Sequence, residues 1–335
     1  MIFKTLSSIA ASAVLATGTM LAATGTAQAD ERFTLAHAMP PEHIFHPTSE
    51  KFMEALGEGF EVEYHPGGDL GDWTSLFEQA MQGAVPMTMT FAATEFDPRL
   101  NIFAAGYIVD SWEQARKMYG PNGAMIPVYD EILSDLDMKL VGVLPVDFGG
   151  YAIRKGVGAV PLDLPAEGNG IKVRVPGLEI AIKRYELLGF SPVPMPFAEL
   201  YTALQLGTVD GRTFGPPPEI WQMRDVLETY VYSKDYFEHA YWLVNKSWWD
   251  DLSDEDRAKM QTAVDTAVSW AWDEAKTISD KTLEDIRGAG INVVEFNDEQ
   301  LAAVKKIVYE QEWPFLEKIV GPETTAALKA AAGVE

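Results

Sequence analysis

After residue 30, short apolar segments alternate with segments of helical periodicity. Phe33 to Ala36 predicts a strand, Thr48 to Leu56 predicts a helix, and Glu61 to Tyr64 predicts a second strand. A strand, a helix and a strand in this order favour a parallel pair in an α/β fold. A turn cluster at residues 65–69 then precedes a helix from Trp73 to Met81.

The same pattern recurs in the second half of the chain. Between the two passes, residues 146–151 are typical of a crossing between lobes. From Asp254 to about Arg287, helical periodicity predicts one helix of roughly 45 Å, long enough to brace two lobes. The remaining predicted elements are strands at Val85 to Phe91, Leu140 to Leu144 and 208–214, helices at Glu179 to Leu188 and Ala198 to Leu206, and an extended segment at Pro192 to Pro196.

Residues 1–29 have the pattern of a secretory signal peptide. Lys4 precedes an apolar run from Ile9 to Ala23, and Ala27-Gln28-Ala29 forms an A-x-A cleavage site. Polar residues interrupt the apolar run, which argues against a membrane anchor. The sequence therefore predicts export to the periplasm with cleavage after Ala29, and no insertion of the mature chain into the membrane.

Composition narrows the possible partners and chemistries. The 335 residues include no cysteine, which excludes disulfides, thiolate catalysis and cysteine metal sites. The formal net charge is −24, so nucleic acid and anionic membrane surfaces are poor partners. A protein this acidic must build a local positive site to bind an anion.

Arg174 has the character of such a site. It lies between Val173 and Val175 on a short strand that Pro176-Gly177 ends, so its side chain points to the opposite face from the two valines. Strand ends in α/β proteins border the crevices where ligands bind. A guanidinium there presents two parallel N–H donors that match a carboxylate.

The residues around Arg174 carry a family resemblance. The stretch K-V-R-V-P-G, a helix, and M-P-F-A-E-L-Y-T-A-L-Q-L-G-T-V-D-G resembles the solute-binding proteins of tripartite ATP-independent periplasmic (TRAP) transporters. Further similarity lies in His37, in the P-G-G-D-L-G turn from Pro66 to Gly71, and in V-N-K-S-W-W from Val244. The resemblance extends over essentially the whole mature chain.

This resemblance implies an α/β, two-lobe periplasmic binding protein fold (type II-like) with hinge strands and a long bracing helix. It implies a receptor, not an enzyme, that closes on a small organic anion and delivers it to integral-membrane permease subunits, with no cofactor. Lobe 1 is expected at 30–150 with a return segment at about 236–275. Lobe 2 is expected at 151–235 with C-terminal helices at about 290–335, and hinges near Gly149-Gly150 and Ser233 to Asp235.

The family's key arginine matches Arg174, and the chain departs from its relatives at two other positions. Many relatives follow the aromatic at Tyr151 with a second arginine, whereas this chain has Ala152 and then Arg154. Relatives often carry an asparagine shortly after V-D-G, whereas this chain has Arg212 and Phe214 there. These changes favour a ligand with fewer polar groups, such as a monocarboxylate with an apolar or aromatic body.

The predicted ligand-binding residues combine this arginine with side chains near strand ends and crossings. If Glu95 or Asp147 lies beside Arg174, the ligand is expected to carry an amine as well as a carboxylate, because an unpaired carboxylate facing an anion is costly. The candidates are Arg174, Tyr151, Phe214, Phe91, Phe148, His37, Glu95, Arg154, Phe197 and Trp73.

Two other functions remain as alternatives. His37, His43 and His46 could form a zinc site, although no H-E-x-x-H pattern occurs and prolines surround the cluster. A periplasmic hydrolase is less favoured, because the chain has no G-x-S-x-G elbow.

Overall fold

A computed structural model describes residues 31–333, which form two β-sheets surrounded by helices. The predicted signal peptide, residues 1–29, lies outside the described residues. The strands are β1 (Glu31–His37), β2 (Phe60–His65), β3 (Met87–Thr90), β4 (Met138–Phe148), β5 (Tyr151–Arg154), β6 (Lys172–Val175), β7 (Ser191–Pro194), β8 (Gly211–Arg212), β9 (Leu227–Val231), β10 (Phe237–Asn245) and β11 (Asn292–Val294).

Helices cover both sheets, which confirms the α/β class predicted from the sequence. The α-helices are α1 (Phe45–Leu56), α2 (Trp73–Met81), α3 (Trp112–Tyr119), α4 (Ile126–Ser134), α5 (Glu179–Leu187), α6 (Phe197–Leu206), α7 (Pro217–Gln222), α8 (Lys246–Asp251), α9 (Asp254–Gly288), α10 (Asp298–Ile307), α11 (Trp313–Val320) and α12 (Pro322–Ala332). A 3₁₀-helix lies at Pro98–Ala104, and a π-helical turn lies at Val308–Glu312.

The first sheet has the strand order β2-β1-β3-β10-β4. β1 pairs in parallel with β2 and β3, as the β-α-β pattern predicts, and β10 joins antiparallel between β3 and β4. All nine residues of β10 are buried, because helices or loops cover both faces of this central strand.

The second sheet has the order β11-β9-β5-β8-β6-β7. β6 pairs in parallel with β7 and β8, so the carboxyl ends of these three strands lie at one edge of the sheet. The predicted strand at 208–214 is much shorter in the structure and includes only Gly211–Arg212. Phe214 adopts φ +51°, a left-handed conformation that cannot continue a strand.

The chain passes from the first sheet to the second at Gly149 and Gly150, and it returns between β9 and β10. A Cβ on Gly149 would clash with the ring of Tyr236, and one on Gly150 would clash with the carbonyl of Val231. The two connecting segments therefore lie in direct contact, and only glycine permits that approach.

Helix α9 is a single helix of 35 residues, about 52 Å long at 1.5 Å per residue. It packs against α1 and β4 of the first sheet, where the Trp272 indole donates to the carbonyl of Val143 over 2.9 Å. It also contacts α7 and β11, which belong to the second sheet's side. The long helix predicted from sequence thus touches both halves of the molecule.

The sequence interpretation placed about 290–335 with lobe 2, and in the structure β11 of this segment pairs with β9 of the second sheet, whereas the last two helices pack elsewhere. α11 and α12 pack instead against the 3₁₀-helix, α3 and α4 beside the first sheet. The π-helical turn before them bridges the halves, because Glu312 accepts two 2.7 Å hydrogen bonds from Arg184 of α5 and one of 3.0 Å from the backbone of Gly106. No helix among residues 31–333 is long and apolar enough to span a bilayer.

Candidate functional site

A cavity of about 680 Å³ lies between the two sheets. Its lining comes from the segments that follow β1 and β3 on one side and β6, β7 and β8 on the other. These are carboxyl ends of parallel strands, where α/β proteins bind ligands. The volume falls in the usual range for small-molecule sites.

Arg174 lines this cavity and is 2% exposed. Its Nε donates to the carbonyl of Met195 over 2.9 Å, which fixes the guanidinium plane. Among the described residues, no carboxylate forms an ion pair with it, and its Nη groups make no hydrogen bond that would occupy them. Burial, and secondarily the nearby Arg212, lowers the pKa of Arg174 to about 10. The residue stays cationic at neutral pH and is available to an anion.

A second buried arginine lies behind the cavity surface and is already paired. Arg212 forms an ion pair with Glu219 and donates a 2.9 Å hydrogen bond to the carbonyl of Phe214. Glu219 faces the cavity. This pair therefore adds little net charge to the site.

Glu238, on the central strand β10, also lines the cavity. It is 7% exposed, and its Oε2 accepts no hydrogen bond from the described residues. Burial, followed by repulsion from Glu219, raises the pKa of Glu238 well above its usual range.

Aromatic rings form much of the remaining lining. Trp73 at the start of α2 and Phe197 at the start of α6 approach each other from opposite halves, with ring centroids 5.9 Å apart. Phe91 packs edge-on against Trp73, and the Phe214 ring packs on Tyr236 at a tilt of 37°, with centroids 4.3 Å apart. Phe197 also lies 5.9 Å from the Arg174 guanidinium. An apolar, largely aromatic cavity with one fixed cation suits a carboxylate on a hydrophobic or planar body.

The structure brings together six of the ten residues predicted from the sequence. These are Arg174, Phe91, Glu95, Trp73, Phe197 and Phe214, which all line the cavity. Glu95 is solvent-exposed, so it lies at the mouth and not beside the buried guanidinium.

The other four predicted residues point elsewhere. Phe148 packs on Phe237 at 5.0 Å, within the core of the first sheet. The hydroxyl of Tyr151 donates to the carbonyl of Pro161. Arg154 donates to the carbonyl of Val209 over 3.1 Å and is not among the lining residues.

His37 is also buried outside the cavity lining, and its environment bears on the zinc alternative. Its Nε2 lies 2.7 Å from the Tyr64 hydroxyl, which also lies 2.9 Å from Nδ1 of His46. His43 is fully buried, and its Nδ1 accepts from the backbone of Phe45. Burial lowers the pKa of His37 to about 4 and that of His43 to about 3. Within residues 31–333, no cluster of three metal-ligating side chains forms.

Asp147 lies at the crossing but not in the cavity. Its Oδ1 accepts from the backbone of Phe148 over 2.7 Å and from the Tyr232 hydroxyl over 2.9 Å, and burial raises its pKa to about 7. Its role is in the connection between the sheets.

Sequence reasoning missed Glu219, Glu238 and Phe103 as lining residues. Glu238 is preceded and followed by buried residues in β10, so no alternation marks which face it occupies. A charged residue within a mostly apolar strand was the available signal.

Comparison with known proteins gives consistent matches over most of the chain. The model of the family described as bacterial extracellular solute-binding protein, family 7, matches residues 35–315. The C4-dicarboxylate-binding periplasmic protein DctP of Rhodobacter capsulatus is 30% identical over 312 residues, which cover 88% of this chain and 89% of that protein.

Solved structures share the fold. The periplasmic ectoine-binding protein of the TeaABC TRAP transporter of Halomonas elongata has a TM-score of 0.83 at 20% identity, covering 90% of this chain and 99% of its own. The sugar acid binding protein DctPAm of Advenella mimigardefordensis, in complex with galactonate, has a TM-score of 0.81 at 20% identity, with coverage of 90% and 98%. At this identity the likeness shows a common fold.

Proposed function

This chain belongs to family 7 of the bacterial extracellular solute-binding proteins, the receptors of TRAP transporters, and we propose that it captures a small organic carboxylate on Arg174 and delivers it to membrane permease subunits. It is a binding protein and not an enzyme. The zinc-binding and hydrolase alternatives receive no support from the comparisons or from the arrangement of the histidines.

The observation that carries the proposal is the buried, unpaired guanidinium of Arg174 in the cavity between the sheets. A desolvated cation without a partner is costly. An anion that enters the cavity therefore binds the guanidinium without first displacing another carboxylate. Two charge-assisted hydrogen bonds contribute roughly 3 to 6 kcal/mol in total. A micromolar dissociation constant needs about 8 kcal/mol, so contacts with the aromatic lining must supply the remainder.

Closure of the two lobes would bring the aromatic lining into contact with the ligand. Trp73 and Phe197 come from opposite sides of the cleft, and their ring centroids lie 5.9 Å apart, so a ligand beside them contacts both sides. We place the hinges at Gly149-Gly150 and at residues 233–235, where the chain crosses between the sheets. A ligand favours closure because it contacts both lobes only in the closed form.

The periplasm is the proposed site of action. The Rhodobacter relative is named as periplasmic, and the pattern of residues 1–29 indicates export with cleavage after Ala29. The proposed partners are therefore the permease subunits of the same transporter class.

The proposed ligand is a carboxylate with an apolar or planar body. A thermal-shift screen of the purified mature chain should include mono- and dicarboxylates, keto acids, aromatic acids and amino-acid derivatives. A true ligand raises the melting temperature in a concentration-dependent way and is recovered unchanged. Conversion of the ligand to a product, or a response to zinc alone that EDTA removes, would contradict the proposal.

A further inference from the structure

The charges around the cavity are unbalanced. Among the described lining residues, Arg174 is the only cation, whereas four carboxyl side chains face the space: Asp72, Glu95, Glu219 and Glu238. Asp72 and Glu95 are exposed, so solvent screens them. Glu219 is neutralised by Arg212. Among the described residues, Glu238 is the one buried carboxyl in this lining that forms no ion pair.

The position of Glu238 calls for a hydrogen-bond donor from the ligand. Its side chain lines a cavity large enough for a small molecule, and its Oε2 accepts no hydrogen bond from the described residues. Buried polar atoms without hydrogen-bond partners are rare, and in a binding site the ligand often supplies the missing hydrogen bond.

We infer that Glu238 forms a cation subsite in the same cavity as the carboxylate subsite of Arg174, so that the preferred ligand is a zwitterion: an organic acid that also carries a positively charged nitrogen. This inference rests on the proposed function, because it assumes that Arg174 holds the carboxylate. It assigns the second charged group of the same ligand.

The aromatic lining supports a cation in this cavity. Trp73, Phe91 and Phe214 line the space, and aromatic rings attract ammonium groups more strongly when water is excluded. An aromatic enclosure with one carboxylate is a general solution for binding a cationic nitrogen.

The charge of the whole molecule favours the same ligand. With a formal net charge of −24, the protein repels anions at long range. A zwitterion has no net charge and meets no such barrier. Inside the cavity, its two ends satisfy Arg174 and Glu238 together, so neither buried charge is left unpaired.

Binding of a zwitterion should release a proton. Burial and the neighbouring Glu219 raise the pKa of Glu238, which favours its protonated form, whereas a bound cation favours the ionised form. The charged and titratable groups that act on Glu238 come from several elements. They are Glu219 of α7, Arg212 of β8, Asp147 of β4 and Tyr236 before β10.

The test compares isosteric ligand pairs in which a positively charged nitrogen replaces a carbon. The pairs are γ-aminobutyrate and valerate, glycine betaine and tert-butylacetate, and trigonelline and meta-toluate. Isothermal titration calorimetry in two buffers of different ionisation enthalpy gives the dissociation constant and the number of protons released. In at least one pair, we expect the zwitterion to bind about ten- to a hundredfold more tightly than its carbon isostere, with proton release.

The variant Glu238→Gln keeps the shape and removes the charge. It should lose the zwitterion preference and the proton release, while the affinity for the carbon isostere stays the same or rises. The matched control is Glu186→Gln, an exposed glutamate of α5 outside the cavity lining, where we expect less than about a fivefold change. The melting temperature of each unliganded variant verifies folding.

The other outcomes are distinguishable. If the carbon isostere binds as tightly as its zwitterion in every pair, or if no zwitterion binds while acids from the wider screen do, the cation subsite is refuted and carboxylate capture stands. If no carboxylate of any kind binds, the proposed function fails together with the subsite.

Discussion

Replacing Arg174 with lysine tests the carboxylate site with the smallest change of charge. Lysine retains the cation but has neither the Nε donor that now bonds the carbonyl of Met195 nor the planar pair of Nη groups that matches a carboxylate. Losing one of two charge-assisted hydrogen bonds costs about 1.5 to 3 kcal/mol, which corresponds to roughly a 10- to 150-fold weaker dissociation constant. Replacement by methionine removes both bonds and should weaken binding about a hundred- to ten-thousandfold.

The chain offers a matched control on the same sheet. Arg154 lies on β5, and its guanidinium bonds the carbonyls of Val209 and Lys155 outside the cavity. Arg154→Lys should therefore leave ligand affinity unchanged. Calorimetric titration with the strongest carboxylate from the thermal-shift screen measures all three variants.

A second readout separates binding from folding. The unliganded protein keeps the Arg174 cation buried without a counter-charge, so Arg174→Met should leave the free energy of unfolding unchanged or increase it. Urea denaturation of the ligand-free variants measures this. Wild-type affinity in the Arg174→Lys protein, or equal losses in the Arg174 and Arg154 variants, would refute the assignment of the carboxylate site.

Three further predictions concern the connection between the lobes. As the pH rises from about 5 to about 8, the free energy of unfolding of Asp147→Asn should increase by about 2.5 kcal/mol relative to that of the wild type. Only the wild type must ionise a buried carboxyl with a pKa of about 7. Urea denaturation measures this difference. Arg184→Met leaves Glu312 without its buried partner and should cost about 3 to 5 kcal/mol in the same assay. Gly149→Ala drives a methyl group into the ring of Tyr236 and should cost about 1 to 3 kcal/mol of unfolding free energy in urea.

Each of these has an outcome that contradicts it. For Asp147, the folded pKa lies above the unfolded value, so the stabilisation is present at low pH and lost as the pH rises through about 7; a pH-independent difference between variant and wild type would show that the carboxyl is not buried in this way. For Arg184, the control is Arg116→Met, which breaks the exposed pair with Asp273 and should cost less than about 1 kcal/mol. Equal losses at the two arginines, or a fully stable Gly149→Ala protein, would mean that these contacts do not form as described.

The elements of the first half were predictable because their patterns are local. The alternation in β1 and β2 and the helical spacing in α2 each follow from residues adjacent in sequence, and α2 begins and ends where predicted. The strand around β8 was predicted too long, because its end depends on the left-handed conformation of Phe214. The asparagine that relatives often carry near this position is a residue that tolerates such a conformation.

Arg174 could be predicted from the sequence, whereas the orientation of the aromatic residues could not. A single cation on a short apolar strand before Pro-Gly is a local signal, and the flanking motif identifies it. Phe148 and Tyr151 also lie at the crossing, but the sequence does not say which face each ring takes. The structure directs Phe148 toward Phe237 and the Tyr151 hydroxyl toward Pro161, away from the cavity.

Glu238 shows why the charges in the site could not be predicted from the sequence alone. β10 is buried on both faces, so its sequence has no polar side, and the glutamate's neighbours come from strands and helices distant in the chain. Among the described residues, Arg174 forms no ion pair and Oε2 of Glu238 accepts no hydrogen bond. A zwitterion that contacts both side chains would supply a partner to each. Ligand binding and lobe closure are therefore coupled. Closure removes water from both side chains, and only a bound ligand offsets the cost of removing it.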